Sequence, residues 1–175
     1  MITYVKGSLI EAFEKEEIDV ILHQTNCVSR ENVSGIAKSI FSKYPEALKS
    51  HLEEGIFGGF SEVSIEGRMI INCNSQYYPG ACSENLFKFQ AMLGDYYGTY
   101  EMPDNFNNRL SALKSVLNSL FWELPYNTKI GIPLIASGLG ADLTKKGLMS
   151  DLEYFKYYIA PEIEDLFKNL IVYYL

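Results

Sequence analysis

The sequence has few of the residues that build disulfide frameworks and metal sites. It contains three cysteines, Cys27, Cys73 and Cys82, and two histidines, His23 and His51, among 175 residues. An odd number of irregularly spaced cysteines gives no disulfide framework, and two separated histidines are too few for a zinc site. We therefore expect reduced thiols in a cytoplasmic protein, with no bound metal and no cofactor.

Positive charge and long apolar runs are also scarce. Lys and Arg number 15 against 22 Asp and Glu, which leaves a net charge of −7. This balance argues against nucleic acid as the main partner, because phosphate backbones are bound by an excess of basic residues. No apolar run approaches the roughly 18 residues that span a bilayer, and the first residues lack the basic and apolar regions of a signal peptide. We expect neither a nucleic-acid nor a membrane partner, and the oligomeric state stays open.

Apolar residues, 47% of the chain, alternate between strand-like and helix-like patterns. β-Branched and aromatic runs predict strands at 2–5, 19–22, 61–65, 68–73, 129–135 and 170–175, the third and fourth joined at Glu66–Gly67. Apolar spacings of three and four predict helices at 9–16, 34–44, 46–53, 110–121 and 152–167, the last one kinked or split by Pro161. Residues 75–104 show no clear period and are interpreted as a long loop, with one short helix expected around 84–93. The alternation predicts one three-layer α/β domain over residues 1–175.

Two loops that follow predicted buried strands are the best candidates for a ligand site. The first runs from His23 to Ala37 and the second from Ala136 to Asp142. In open α/β sheets, ligands bind beyond the carboxyl ends of the strands, and glycine-rich turns there let backbone N–H groups approach a pyrophosphate. Each loop alone also fits a plain connecting turn. The absence of GxGxxG and GxxxxGKS/T patterns argues against a standard dinucleotide-binding domain and a P-loop NTPase.

Six segments, in their order and spacing, resemble the macro domain family: ITYVKG, DVILHQTNC, SGIAKSIFSKYPEA, INCNSQY, IPLIASGLG and VYYL. They span nearly the whole chain, apart from about residues 77–108, a stretch longer than is usual for the family. The set is similar to the stand-alone branch that includes ADP-ribose-1″-phosphate phosphatases, and to a related branch that removes ADP-ribose from protein carboxylates. The resemblance implies an α/β/α fold with a mixed central sheet and a cleft for adenine, diphosphate and the distal ribose.

The resemblance also implies a function and the residues that perform it. The ligand would be ADP-ribose or a derivative, bound by residues Ser8, Leu9, Ser34, Gly35, Ile36, Ala37, Ser137, Gly138, Leu139, Gly140 and Ala141. Hydrolysis at the 1″ position would use His23 as acid or base, Asn26 to hold the distal ribose and Asp142 to activate water. Each of these three has a structural alternative: a His bonded for packing, an Asn bonded to its own backbone and an Asp that caps a helix.

The sequence departs from the family pattern at several positions. Ser8 stands where the family usually has the Asp that bonds the adenine amine, and Val33 adds a β-branched side chain where the family usually has glycine. No Lys occurs at 74–76, and Gly140 replaces an Asp of the carboxylate-reversing branch, so Lys-dependent reversal is not expected. These changes keep a second hypothesis open, a non-catalytic module that binds or sequesters ADP-ribose-type signals.

Three further features leave alternatives open. Cys27 is expected to be a small buried residue rather than a nucleophile. Arg30 is either a solvated loop charge or a contact to a terminal phosphate. The tyrosines within residues 77–100 either stack on adenine or serve packing or an interface. The last option motivates a third hypothesis, an interaction protein that keeps the fold but has an unused pocket.

Overall fold

A six-stranded sheet forms the centre of the computed structural model, which describes residues 2–27, 33–53, 56–76, 105–135 and 146–175. The strands are β1 (Thr3–Lys6), β2 (Val20–Asn26), β3 (Phe60–Ile65), β4 (Arg68–Gln76), β5 (Ile130–Ile132) and β6 (Leu170–Tyr174). Their order across the sheet is β1-β6-β5-β2-β4-β3. β3 is antiparallel to β4, and the other neighbouring pairs are parallel, so the sheet is mixed as predicted.

Helices cover both faces of this sheet. One face carries α1 (Leu9–Glu14), α2 (Gly35–Lys43) and α3 (Pro45–Glu53). The other carries α4 (Phe106–Glu123) and a last helix made of α5 (Asp151–Tyr154), a π-helical turn (Phe155–Ile159) and α6 (Ala160–Ile163). Each face has its own buried apolar cluster, because successive strand residues point to opposite sides. This arrangement confirms the predicted three-layer α/β/α fold.

The parallel strands all end at one edge of the sheet, which we call the carboxyl edge. The hairpin between β3 and β4 turns at the opposite edge. Its two turn residues, Glu66 and Gly67, have φ angles of 52° and 82°. Positive φ at both central residues defines the type I′ turn, whose twist matches that of the flanking strands. The turn that the Glu-Gly pair predicted is therefore present.

β2 is longer than predicted. It continues to Asn26, whereas the sequence indicated a loop from His23 onward. The polar side chains of its last residues stay inside the sheet because β4 supplies their partners. His23 is hydrogen-bonded to Asn72, and the Thr25 hydroxyl donates to Asn74. A polar stretch can be buried once its hydrogen bonds are made internally.

Two prolines shape the second half of the chain. Pro133 follows β5 directly and limits it to three residues, because proline cannot donate a hydrogen bond within a sheet. The strand is thus shorter than the predicted 129–135. Pro161 lies in the first turn of α6, immediately after the π-helical turn. Proline has no N–H for the usual helical bond and its ring collides with the preceding turn, so the regular α-helical pattern is interrupted there.

Gly131 in β5 allows α1 to pack directly on the sheet. A β-carbon at this position would lie 2.7 Å from Leu9 Cδ1 and closer still to Ile18 Cδ1, and both side chains are buried. We expect Gly131→Ala to lower the free energy of unfolding by about 1–3 kcal/mol, because an added methyl group overpacks the core. Gly7→Ala is the matched control, since nothing lies within 4 Å of its β-carbon position. Denaturant unfolding measures both variants, and equal stability of the two would contradict the packing argument.

Candidate functional site

Three of the residues that the sequence predicted for the site lie at the carboxyl edge. Ser8 follows β1, and Asn26 ends β2. Gly35 begins α2, the helix that follows β2. A helix that follows a parallel strand starts at the edge where the strand ends, so the three residues share one edge of the sheet. This edge is where open α/β sheets bind their ligands.

The start of α2 is open to an anion. Ser34 has an extended backbone with φ −133°, and its hydroxyl makes no capping hydrogen bond. Gly35 has a φ of +57°, which a glycine adopts without steric cost, and a β-carbon added there would meet none of the described residues within 4 Å. Both residues are exposed, whereas Ala37 is buried in the apolar cluster below. The first N–H groups of a helix have no partner within it and carry the positive end of the helix dipole.

Asn26 lies at the end of β2 and is only 4% exposed. The pairing of β2 with β4 shifts register at this point: Thr25 pairs with Asn74, but Asn26 pairs with Gln76. The backbone N–H of the next residue, Cys27, donates to the Gln76 carbonyl at 2.9 Å. The backbone is therefore bonded to β4 both immediately before and immediately after Asn26.

Ser8 and Leu9 have structural roles in α1. The Ser8 hydroxyl accepts a hydrogen bond from the Glu11 N–H at 3.2 Å and so caps the helix. The Leu9 side chain is 2% exposed and belongs to the apolar cluster beneath α1. Of Leu9, only the backbone can therefore meet a ligand. The Ser8 oxygen is therefore directed at the backbone of α1.

His23 lies in the core and not at the surface. Its side chain is 0% exposed. Its ring packs edge-on against Phe41 of α2 at 5.3 Å, and its Nε2 lies 2.8 Å from the Asn72 side-chain oxygen. Burial lowers the pKa of His23 to about 4, although the hydrogen bond to Asn72 opposes the shift. His23 is therefore neutral near pH 7, and its placement favours the structural alternative over acid–base catalysis.

Asn72 connects three elements around this histidine. Its side-chain nitrogen donates to the Ala47 carbonyl of α3 at 2.9 Å and to the Ser61 hydroxyl of β3 at 3.0 Å. Because both amide hydrogens are used in this way, its oxygen accepts from His23, and the His23 proton lies on Nε2. His51 of α3 is also buried, and its ring stacks on that of Phe41 with the ring centroids 5.6 Å apart. The result is a polar cluster enclosed beneath α2 and α3.

The buried thiols are not nucleophiles. Cys27 is 1% exposed, as expected of a small core residue. Burial raises the pKa of Cys73 to about 12, so its thiolate is not populated near neutrality. Within the described ranges, no group of three or more His, Cys, Asp or Glu side chains is arranged to hold a metal ion. None of the helices in these ranges has both the length and the apolar composition needed to cross a bilayer.

Several predicted site residues lie outside the described residues. They are the second loop with its proposed water-activating group, the arginine of the first loop, and the tyrosines of the long segment, namely Ser137, Gly138, Leu139, Gly140, Ala141, Asp142, Arg30, Tyr77, Tyr78, Tyr96, Tyr97 and Tyr100. Their assigned roles stay predictions.

Two solved structures share the architecture of this chain. The macrodomain of Thermus aquaticus DarG is 15% identical in sequence with a TM-score of 0.64, and the match covers 100% of this chain and 98% of that one. This chain has the macrodomain fold. An alphavirus structure described as P23pro-zbd is 13% identical with a TM-score of 0.56, and the match covers 100% of this chain but 22% of that longer chain. No protein-family model and no curated protein sequence matches the chain.

The macrodomain fold confirms the resemblance found in the sequence, and it does not select a branch of the family.

The structure also shows side-chain hydrogen bonds between β2 and β4 that the sequence analysis missed. Gln24 donates to the Ser75 hydroxyl at 2.8 Å, and Thr25 donates to Asn74 at 2.7 Å. The signal was present in the sequence: a polar run follows an apolar run in both β2 and β4. Polar runs at matching positions are expected when two neighbouring strands pair through polar side chains.

The placement of His23 predicts a pH-dependent stability. An unfolded His has the ordinary pKa of 6.5, and the folded value is about 4. As the pH falls from 6.5, His23 binds a proton in the unfolded state but not in the folded state. The free energy of unfolding therefore decreases until about pH 4. The full loss is about 3 kcal/mol.

His23→Gln is the variant that tests this, because a Gln amide can still donate to Asn72 but does not titrate. We expect its unfolding free energy, measured in urea from about pH 4 to pH 7, to change less with pH than that of the wild type. Parallel pH curves for the two proteins would show that His23 is not the titrating group.

Proposed function

We propose that this macrodomain binds ADP-ribose or a derivative of it at the carboxyl edge, with the diphosphate against the start of α2. The observation that carries the proposal is the open first turn of this helix, where the Ser34 hydroxyl caps nothing and Gly35 has a φ of +57°. The fold supports the same ligand, because the sequence resembles a family that binds ADP-ribose and the macrodomain of DarG matches over the full chain.

Backbone donors explain how an acidic protein holds a diphosphate. The net charge of the chain is −7, but the first turn of α2 contains no acidic residue. The N–H groups at a helix start point toward a bound anion, and the helix dipole adds roughly half a positive charge there. The phosphate charge is therefore met by the backbone, and no basic side chain is required.

The two ends of the ligand would meet different environments. At the ribose end, Asn26 offers an amide oxygen and an amide nitrogen, which suit the paired hydroxyls of a sugar. At the adenine end, the Ser8 hydroxyl already accepts from Glu11 at 3.2 Å. A neutral group in this state bonds the adenine amine less strongly than a carboxylate does. We therefore expect recognition to depend more on the diphosphate and distal ribose than on the base.

Hydrolysis at the 1″ position is the finer proposal, and it rests on Asn26 and Asp142. His23 was the other candidate for moving protons, but it lies 0% exposed against Phe41 and Asn72. A base must come within hydrogen-bond reach of its proton, so we assign His23 no step. The same observation favours a second candidate function, a module that binds ADP-ribose-type ligands without turning them over.

Gly35→Ala tests the binding site. The open space at the Gly35 β-carbon position is where the diphosphate would lie, and a positive φ strains alanine by about 1–2 kcal/mol. We expect wild-type protein to bind ADP-ribose with micromolar affinity, about −8 kcal/mol, and Gly35→Ala to weaken binding by about tenfold or more. Isothermal titration calorimetry measures both affinities.

Gly67→Ala is the matched control for that variant. Gly67 has a φ of +82° and open space around its β-carbon position, but it lies in the hairpin turn at the opposite edge. The two variants should lose similar stability, and only Gly35→Ala should lose affinity. Equal affinities in both variants would remove the start of α2 from the site. No binding to the wild type at millimolar ADP-ribose would overturn the proposed function itself.

Phosphate release from ADP-ribose-1″-phosphate tests the finer proposal. We expect the wild type to release phosphate, and Asn26→Ala and Asp142→Ala each to lower kcat by about a hundredfold, in the range of a lost polar catalytic group. His23→Gln should leave kcat unchanged, because His23 has no contact with the reacting atoms. Binding of the substrate without any release would select the second candidate, the non-catalytic module.

A further inference from the structure

The pair of strands that ends at the candidate site contains an irregularity. Thr25 of β2 pairs with Asn74 of β4, but the next residue, Asn26, pairs with Gln76. Ser75 is therefore an extra residue on β4, opposite no residue of β2. Bulges of this kind are rare between parallel strands, and they occur preferentially beside active sites, where they redirect a side chain. In an unshifted register, Asn26 would pair with Ser75 instead.

The hydroxyl of Ser75 holds this extra residue in place. Ser75 is 0% exposed, and its oxygen accepts a hydrogen bond from the Gln24 side-chain nitrogen at 2.8 Å. The acceptor capacity of a fully buried hydroxyl is therefore used. Loss of the hydroxyl would remove the acceptor that the part-buried Gln24 amide has in β4, at a cost in stability.

Further hydrogen bonds lie on either side of the bulge. Before it, the Thr25 hydroxyl donates to the Asn74 side chain at 2.7 Å. After it, the Cys27 N–H donates to the Gln76 carbonyl at 2.9 Å. On the far side of β4, the Gly58 N–H donates to the Asn74 carbonyl at 2.8 Å. Asn26 lies between Thr25 and Cys27, which are both hydrogen-bonded to β4, so the conformation of the bulge determines the direction in which Asn26 projects.

We propose that Ser75 is a positioning residue: its buried hydroxyl fixes the bulge in β4 and thereby directs the Asn26 side chain toward the ribose of an ADP-ribose-type ligand. The ligand part of this inference rests on the proposed function. The part that concerns Asn26 stands on the contacts of β2 and β4 and can be tested without ligand.

Two variants break the same hydrogen bond from opposite ends. Ser75→Ala removes the acceptor, and Gln24→Met removes the donor while keeping the length of the side chain. Ser61→Ala is the matched control, because Ser61 is also buried and its hydroxyl accepts from Asn72 at 3.0 Å, away from the bulge. Since a buried serine loses one hydrogen bond in each case, Ser75→Ala and Ser61→Ala should lower Tm by similar amounts. If Ser75→Ala does not fold, Gln24→Met alone decides the question.

The first readout is the NMR signal of the Asn26 side-chain amide, assigned by comparison with Asn26→Ala. We expect Ser75→Ala and Gln24→Met to move or broaden this signal and to speed hydrogen exchange at the Cys27 N–H. Ser61→Ala should change neither. An Asn26 signal that stays in place in both bulge variants would overturn the proposal, whatever the protein binds.

The second readout is a double-mutant cycle on ADP-ribose affinity. We expect Ser75→Ala to weaken binding about tenfold in the wild type and to have little effect in the Asn26→Ala background, because Ser75 acts through Asn26. Equal weakening in both backgrounds would contradict an action through Asn26. If the wild type binds no ADP-ribose, the proposed function and the ligand part fail together, while the NMR result still decides the role of Ser75.

Discussion

Polar side chains buried between β2 and β4 impose the constraint on which the rest of this structure depends. A buried polar group without a partner costs about 1–3 kcal/mol, so partners inside the sheet stabilise the folded state. Three consecutive residues of β2 are matched by side chains of β4: His23 by Asn72, Gln24 by Ser75 and Thr25 by Asn74. Because the matches alternate between the two faces, a shift of register by one residue would break all of them together.

The same contacts place α2 and α3 on the sheet. Phe41 of α2 lies between the rings of His23 and His51, at 5.3 Å and 5.6 Å. Asn72 holds the carbonyl of Ala47 at the beginning of α3. The last turns of α2 are therefore fixed by the interior, whereas its first turn at Ser34 and Gly35 is exposed. A helix anchored at one end presents the N–H groups of the other end in a defined direction, as an anion site requires.

The sequence predicted the fold well because apolar periodicity and turn residues are local signals. The apolar runs indicated each described strand, and the Glu66–Gly67 pair indicated the hairpin. The prediction was wrong about the end of β2, because a polar run followed by a serine-rich stretch is typical of a loop. Its partners lie some 50 residues away in β4, with sequence separations of 49 for His23–Asn72 and 51 for Gln24–Ser75. A local pattern cannot reveal such pairing, nor the face of the strand on which His23 lies.

The hydrogen bonds of Asn72 limit which residues can replace it. Its one acceptor and two donors are all used, by His23, Ala47 and Ser61. Aspartate would bring a second acceptor in place of the donors, and leucine would leave three polar groups unmatched. A single replacement of Asn72 is therefore expected to lower stability unless its partners on β2, β3 and α3 change with it. Ser34 at the start of α2 is exposed and makes no capping hydrogen bond, so a replacement there leaves the contacts of this interior unchanged.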